Sequence, residues 1–240
     1  MNRESVPNAA ASSADFEFEA LREARNYRAA LVQEFRDYLS GNVIEIGAGI
    51  GQMTEHLRVL PDIRRLIAIE PEVKLSKRHR EQFPGHELYE GTIEDVPPGT
   101  AWDAIFSINV LEHIEDDRGE LNRYSKLLRP SNGHFCVLVP ARPEIYAPID
   151  KDFGHFRRYT RPELRTKLEA AGFEIVELHY FNFVGYFAWW LNFRIMKKRV
   201  FEVEKVRFYD RLIFPAGHLL ESRLLRPPIG QSLIAVARAF

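Results

Sequence analysis

Hydrophobic positions along the chain follow two alternating patterns. Short, mostly apolar runs recur at 43–46, 66–69, 102–108 and 135–139. Runs of this length, bounded by turn residues, predict buried strands. Between them, apolar residues recur three and four apart among charges, which predicts helices at 16–39, 52–60, 71–82, 115–128 and 161–171. In the first of these, Leu21, Leu31, Val32, Phe35 and Leu39 would face inward. Ser40-Gly41, Pro61, Phe83-Pro84-Gly85, Pro130 with Gly133, and Gly172 supply the stops. A short strand at 87–89 and two late strands at 173–181 and 232–239 complete the pattern. Strands alternating with helices predict an α/β fold with a doubly wound, mostly parallel sheet.

The turn after the first strand carries the candidate chemistry. Glu45 lies inside the strand, and Gly47, Ala48, Gly49 and Gly51 follow it. A strand, a tight glycine turn and a helix start form a site for a nucleotide-like ligand, because backbone can approach closely and helix N–H groups stand unpaired. Nineteen residues past Gly51, the second apolar run ends in Glu70, followed by Pro71. A carboxylate there is placed to accept hydrogen bonds from both ribose hydroxyls of an adenosine. A dinucleotide fingerprint needs Gly or Ala where Gln52 stands, which disfavours an NAD(P)-dependent oxidoreductase. A phosphate loop would need Gly-Lys-Ser or Gly-Lys-Thr, and the chain has neither.

The E-x-G-x-G-x-G form resembles the first motif of class I S-adenosylmethionine-dependent methyltransferases. The resemblance implies a seven-stranded Rossmann-like sheet with its last strand antiparallel. It implies S-adenosylmethionine as cofactor, its methionine part held by Glu45 and the glycines. In similar enzymes the Gly91-Thr92-Ile93-Glu94-Asp95 loop meets adenine; Thr92 stands at the acid position, Ile93 would pack on the ring, and Asp95 is the other candidate. Asn109 would meet the methionine amino group through its backbone, Val110 and Leu111 would continue the wall, and Tyr27 would close over the methionine end. A non-catalytic cofactor-binding partner protein is the other class this loop allows.

Glu112-His113 and the segment Gly154-His155-Phe156-Arg157-Arg158-Tyr159 carry the expectations about the acceptor. The second resembles a bacterial methyltransferase subgroup suspected in surface-glycan or lipid-linked sugar modification. The pair is also similar to ubiquinone-pathway O-methyltransferases, which can hold a divalent metal here. In this chain Asn109 replaces the first acid, so the expected site has no metal. Transfer from a sulfonium is mostly proximity and orientation, but a hydroxyl acceptor must lose a proton, and a neutral histidine is the natural base. His113 and His155 are the candidates. Arg157, Arg158 and Tyr159 are expected to bind the acceptor, a sugar, lipid-linked or secondary-metabolite hydroxyl. N- or C-methylation is the alternative.

Composition narrows the partners. With 240 residues, 45% hydrophobic and 28% charged, the chain reads as soluble and globular. A net charge of −1 gives no bulk attraction to nucleic acid. The single cysteine, Cys136, excludes an intrachain disulfide and suits core packing. Residues 1–14 are small and polar, with no apolar leader, and are expected to be disordered; residues 15–240 would form the methyltransferase domain, in the cytoplasm. The stretch 182–231 is an insertion before the last strand, expected to be helical and partly a lid. It opens with an aromatic-rich run closed by Lys197-Lys198-Arg199. Such a run suits core or lid packing, a dimer contact or a peripheral membrane interface.

Overall fold

The computed structural model describes residues 22–224 and 227–240. The apolar runs form strands β1 (Gly41–Ile46), β2 (Ile63–Ile69), β3 (Glu87–Tyr89), β4 (Ala104–Ile108), β5 (His134–Pro140), β6 (Phe173–Phe181) and β7 (Ser232–Ala239). They join in one seven-stranded sheet of order β3-β2-β1-β4-β5-β7-β6. The pairs β1–β2, β1–β4, β2–β3 and β4–β5 are parallel. The last strand, β7, runs antiparallel to both β5 and β6. Strand order reverses between β1 and β4, so a crevice opens at their carboxyl ends, the usual ligand position in such sheets.

Both faces of the sheet are covered, which is why its inner strands are almost purely apolar. Alternate residues pack on opposite sides. Ile44, Ile46, Ile105, Phe135 and Val137 belong to one core cluster, and Val43, Ala104, Phe106, Cys136 and Leu138 to the other. Cys136 is fully buried, and burial pushes its thiol pKa up, as core packing requires. The flanking helices are α1 (Arg25–Phe35), α2 (Thr54–Leu57), α3 (Val73–Gln82), α4 (Asp117–Leu128), α5 (Pro148–Asp152) and α6 (Arg161–Ala170).

Several boundaries differ from the sequence pattern by a few residues, and two of the differences have local reasons. The helix expected over 52–60 shrinks to Thr54–Leu57, because Gly51 turns left-handed at φ 90° and the chain stays in turns through Met53. Strand β2 starts three residues before the apolar run, because Arg65 pairs with Glu87 on the neighbouring strand. Among the described residues the expected first helix is helical at Arg22 and Glu23, breaks at Ala24 and resumes as α1; its 16–21 portion, and the expected tail 1–14, lie outside them.

The insertion before β7 is helical, as the sequence suggests. It contains α7 (Phe183–Trp189), a π-helical stretch at Trp190–Ile195, α8 (Val203–Phe208), a second π-helical stretch at Tyr209–Ile213, and α9 (Phe214–Leu224). Single π turns inside helices often mark functional sites. Among the described residues, no helix is long and apolar enough to cross a membrane.

Candidate active site

The glycine turn closes off the end of β1. Gly47, Gly49 and Gly51 all have positive φ. A Cβ on Gly47 would lie 2.4 Å from Val110 Cγ2, and one on Gly51 would lie 2.2 Å from a Phe83 ring carbon. Backbone sign and close approach therefore both require glycine there. The turn is tied to β2, since the N–H groups of Gly47 and Ala48 donate to the Ile69 carbonyl at 2.9 and 3.1 Å. Gly49 N–H donates to Glu70 Oε2 at 2.8 Å, and Glu72 N–H donates to Oε1 at 2.9 Å. Burial pushes the Glu70 pKa up against the pull of these two donors. Inside β1, Glu45 is 2% exposed and accepts from Thr54 Oγ1 at 2.6 Å. Burial, with a smaller push from Glu70, raises its carboxyl to about 8.

These groups surround a cavity of about 340 Å³. Tyr27, Glu45, Gly47, Ala48, Glu70, Pro71, Asn109 and Val110 line it, as expected of cofactor contacts. Arg28, Gln52, Leu75, His113 and Phe153 line it too. The donor set fits an adenosyl cofactor. Each Glu70 oxygen accepts one N–H and keeps a second lone pair for a ribose hydroxyl. Glu45 is a buried carboxyl bordering this space, and a cationic ligand there would favour its ionised form. Asn109 sits at φ 53° and donates its N–H to the Leu138 carbonyl, so its left-handed turn aims the chain along the cavity wall.

A second cavity, about 520 Å³, adjoins the first. The two share Ala24, Tyr27, Asn109 and Phe153. The second is roofed by the helical insertion, through Trp189, Phe193, Phe201, Val206 and Tyr209. Asp210, in the second π stretch, accepts from the N–H groups of Asn26 and Tyr27 at 3.0 and 2.9 Å. It thereby ties the insertion to the start of α1. Tyr27 packs edge-on against Phe181 and Phe214, and burial pushes its hydroxyl up to about 12.

The two candidate histidines stand together between the cavities. Their rings meet edge-on with centroids 4.6 Å apart. His113 borders the first cavity and His155 the second. The His113 ring is exposed, but it opens into the cavity and is hemmed in by protein. Burial, helped by repulsion from His155, lowers its pKa to about 4, so it is neutral at physiological pH. His155 Nδ1 lies 3.1 Å from Asp150 Oδ1. Burial acts against ionisation of Asp150, but His155 and Arg158 outweigh it and hold the carboxyl below its usual range. An ionised carboxylate can only accept, so Nδ1 carries the hydrogen, and in the neutral ring the lone pair is then on Nε2. That Nε2 has no hydrogen-bond partner among the described residues, and Glu112 Oε1 lies 3.9 Å away. Glu112, His113 and His155 each bring one potential metal-ligand atom within 4.8 Å of the others.

Several expected contacts lie elsewhere. Tyr159 is fully buried in the core, and its hydroxyl donates to Asp117 at 2.8 Å. Arg157 pairs with the same Asp117 at 2.7 Å and donates to the Glu115 carbonyl. Neither lines either of these two cavities, so the expected acceptor contacts are not among their walls. Arg158 does line the second cavity, but its charge is held by Asp150 at 2.8 Å and its guanidinium lies 4.4 Å over the Trp189 ring. In the adenine loop, Thr92 N–H donates to Asp95 Oδ2 at 2.7 Å, so the carboxylate closes its own turn. Ile93 and Leu111 are buried in the core. Thr92, Ile93, Asp95 and Leu111 line neither cavity. Gly49 and Gly51 shape the first cavity through backbone rather than lining it.

Comparison with known proteins agrees with this geometry. A family profile described as "Methyltransferase domain" matches residues 18–178. The chain belongs to that methyltransferase family, and its cofactor is S-adenosylmethionine. No protein of curated function matches the chain in sequence. Among solved structures, it is similar to an S-adenosylmethionine-dependent methyltransferase from Mesorhizobium loti, with 16% identity over 90% of this chain and 99% of that one, at a TM-score of 0.61. A SAM-dependent methyltransferase from Archaeoglobus fulgidus shares 16% identity over 93% of this chain and 99% of that one, at a TM-score of 0.58. At such identities the likeness is one of fold.

Proposed function

We propose that this methyltransferase acts on a hydroxyl oxygen of a small or lipid-linked acceptor held in the 520 Å³ cavity. The observation that carries the reading is the edge-on histidine pair at the boundary of the two cavities, 4.6 Å between ring centroids. When bound, S-adenosylmethionine supplies a sulfonium methyl open to in-line displacement, in which a C–O bond forms as the C–S bond breaks. The acceptor oxygen becomes strongly acidic as that bond forms, so even a weak neutral base suffices to take its proton. His155 Nε2 is the proton acceptor, with Asp150 fixing the tautomer and stabilising the imidazolium that results. His113, neutral beside it, donates its ring N–H to a lone pair of the hydroxyl oxygen and orients it, leaving the O–H for His155. In the cofactor cavity, Glu70 holds the ribose, Glu45 faces the cationic end, and Arg28 meets the carboxylate of the methionine part. The aromatic roof keeps water away from the reacting atoms.

A second reading has an observation of its own. Glu112, His113 and His155 converge within 4.8 Å, a three-ligand set that leaves a divalent cation open to an acceptor oxygen. Two measurements test these readings. With a carbon-13 methyl donor and a panel of amphipathic alcohols and glycolipids, we expect an O-methyl carbon resonance in the product. An N-methyl or C-methyl product overturns the hydroxyl reading. Turnover that survives a chelator favours the histidine base, and turnover lost to chelator and restored by a divalent cation favours the metal.

A further inference from the structure

The insertion that roofs the acceptor cavity has a second face, and that face is apolar. In α7 and the π stretch after it, Trp189 and Phe193 are buried against Ile145 and Ile149. Phe187, Leu191 and Ile195 repeat at four-residue spacing on the opposite side and are exposed, as is Trp190. In the following helices Asp210 and Phe214 are buried, while Phe208 and Leu212 point the other way, Leu212 being 62% exposed. The two segments pack together, since a Cβ on Gly217 would lie 2.7 Å from Val184 Cγ2. Their outer faces thus form one apolar surface, where soluble proteins seldom leave one uncovered.

Two further observations select what covers it. Residues 183–224 hold eight Lys or Arg against four Asp or Glu; with Arg199 and Arg207 also paired to Asp152 and Glu23 outside the segment, a basic excess of two remains on a chain of net charge −1. A second copy of the chain, docked face to face, would bring this cationic surface against itself. An anionic bilayer complements it, with aromatics seated at headgroup depth and basic side chains around them. In addition, Val200, Phe208 and Ile213 line the acceptor cavity and are also exposed, Val200 57% and Phe208 58%. The mouth of the cavity therefore opens onto the apolar face itself.

We infer that the helical insertion docks on the interface of an anionic lipid bilayer and that the acceptor enters the cavity from the membrane, as a lipid-linked hydroxyl compound. This deepens the acceptor assignment and rests on it for the second half only; docking is measured without any methyl transfer. The test is co-sedimentation of the full chain with phosphatidylcholine vesicles, with and without phosphatidylglycerol. Binding is expected to the anionic vesicles, weakening as salt is added. Leu191→Glu with Leu212→Glu, neither of which lines a cavity, should weaken it at least tenfold while S-adenosylhomocysteine affinity and Tm hold. If that pair fails to fold, Lys197→Glu with Arg211→Glu should selectively lose the anionic vesicles. Failure of the parent to bind, or equal binding by the folded variants, overturns the inference. So does a dimer in solution that the leucine substitutions dissociate, which would give the surface to a second copy. Normal docking with no methylation of any lipid-linked hydroxyl would instead sink the acceptor reading alone.

Discussion

Glu70→Ala is the sharpest perturbation of the cofactor site. The carboxylate is 5% exposed and already accepts from Gly49 and Glu72 N–H groups at 2.8 and 2.9 Å. Its remaining lone pairs face the cavity and would take the two ribose hydroxyls. Hydrogen bonds to a charged group are worth about 1.5–3 kcal/mol each, so losing both costs about 3 kcal/mol at the low end. That corresponds to a loss of affinity of about a hundredfold. Removing the side chain also leaves the Gly49 N–H without its acceptor and loosens the turn. A double-mutant cycle separates the two effects. Calorimetry should show that the parent discriminates against the 2′-deoxy form of S-adenosylhomocysteine, and that Glu70→Ala binds both forms weakly and equally. Affinity within about threefold of the parent, or undiminished discrimination in the variant, would refute the ribose assignment and leave Glu70 as scaffolding for the turn.

Other expectations follow from buried charges. Glu45 has a folded pKa of about 8, raised from 4.5. Below the unfolded value both states keep the proton; between about 4.5 and 8 only the folded state does, so stability falls as pH rises through that window. The difference is worth up to about 5 kcal/mol at about 1.4 kcal/mol per tenfold, and Glu45→Gln should flatten the pH dependence of denaturant unfolding. An identical slope in parent and variant would contradict the burial argument. Asp150→Ala should destabilise by about 3–5 kcal/mol in urea unfolding, because it leaves the buried Arg158 charge uncompensated. A change under about 1 kcal/mol would show that the ion pair is not the anchor of this loop.

The sequence made the sheet legible because its inner strands are buried on both faces and stand out as apolar runs. The glycine turn and Glu70 were equally legible, since their geometry is local to two strand ends. What was hidden depends on separation in the chain. Asp210 secures Asn26 and Tyr27 from 184 and 183 residues away, and no local pattern marks it. A salt bridge from the arginine pair to Asp150 is a reading the sequence allows, but Asp117 is one acid in the first turn of a helix until folding sets it beside Arg157, Tyr159 and Lys167. The contiguous His-x-Arg-Arg-Tyr segment looks like one functional unit. It is extended where Tyr159 bridges to Ala141, and extended backbone sends successive side chains to opposite sides. Arg158 turns to Asp150 and the acceptor cavity, while Arg157 and Tyr159 share Asp117. The departure at Thr92 has a comparable cause, because Asp95 closes a capping box with it.

The most direct test of the central claim compares single-turnover methyl transfer with cofactor binding in His155→Ala and His113→Ala. With a hydroxyl acceptor identified by label incorporation, both variants should bind S-adenosylhomocysteine like the parent. Transfer in His155→Ala should fall by about 10²–10⁴-fold, the usual contribution of a positioned base. Parent-like transfer in both variants would contradict the account and remove the histidine pair from the chemistry.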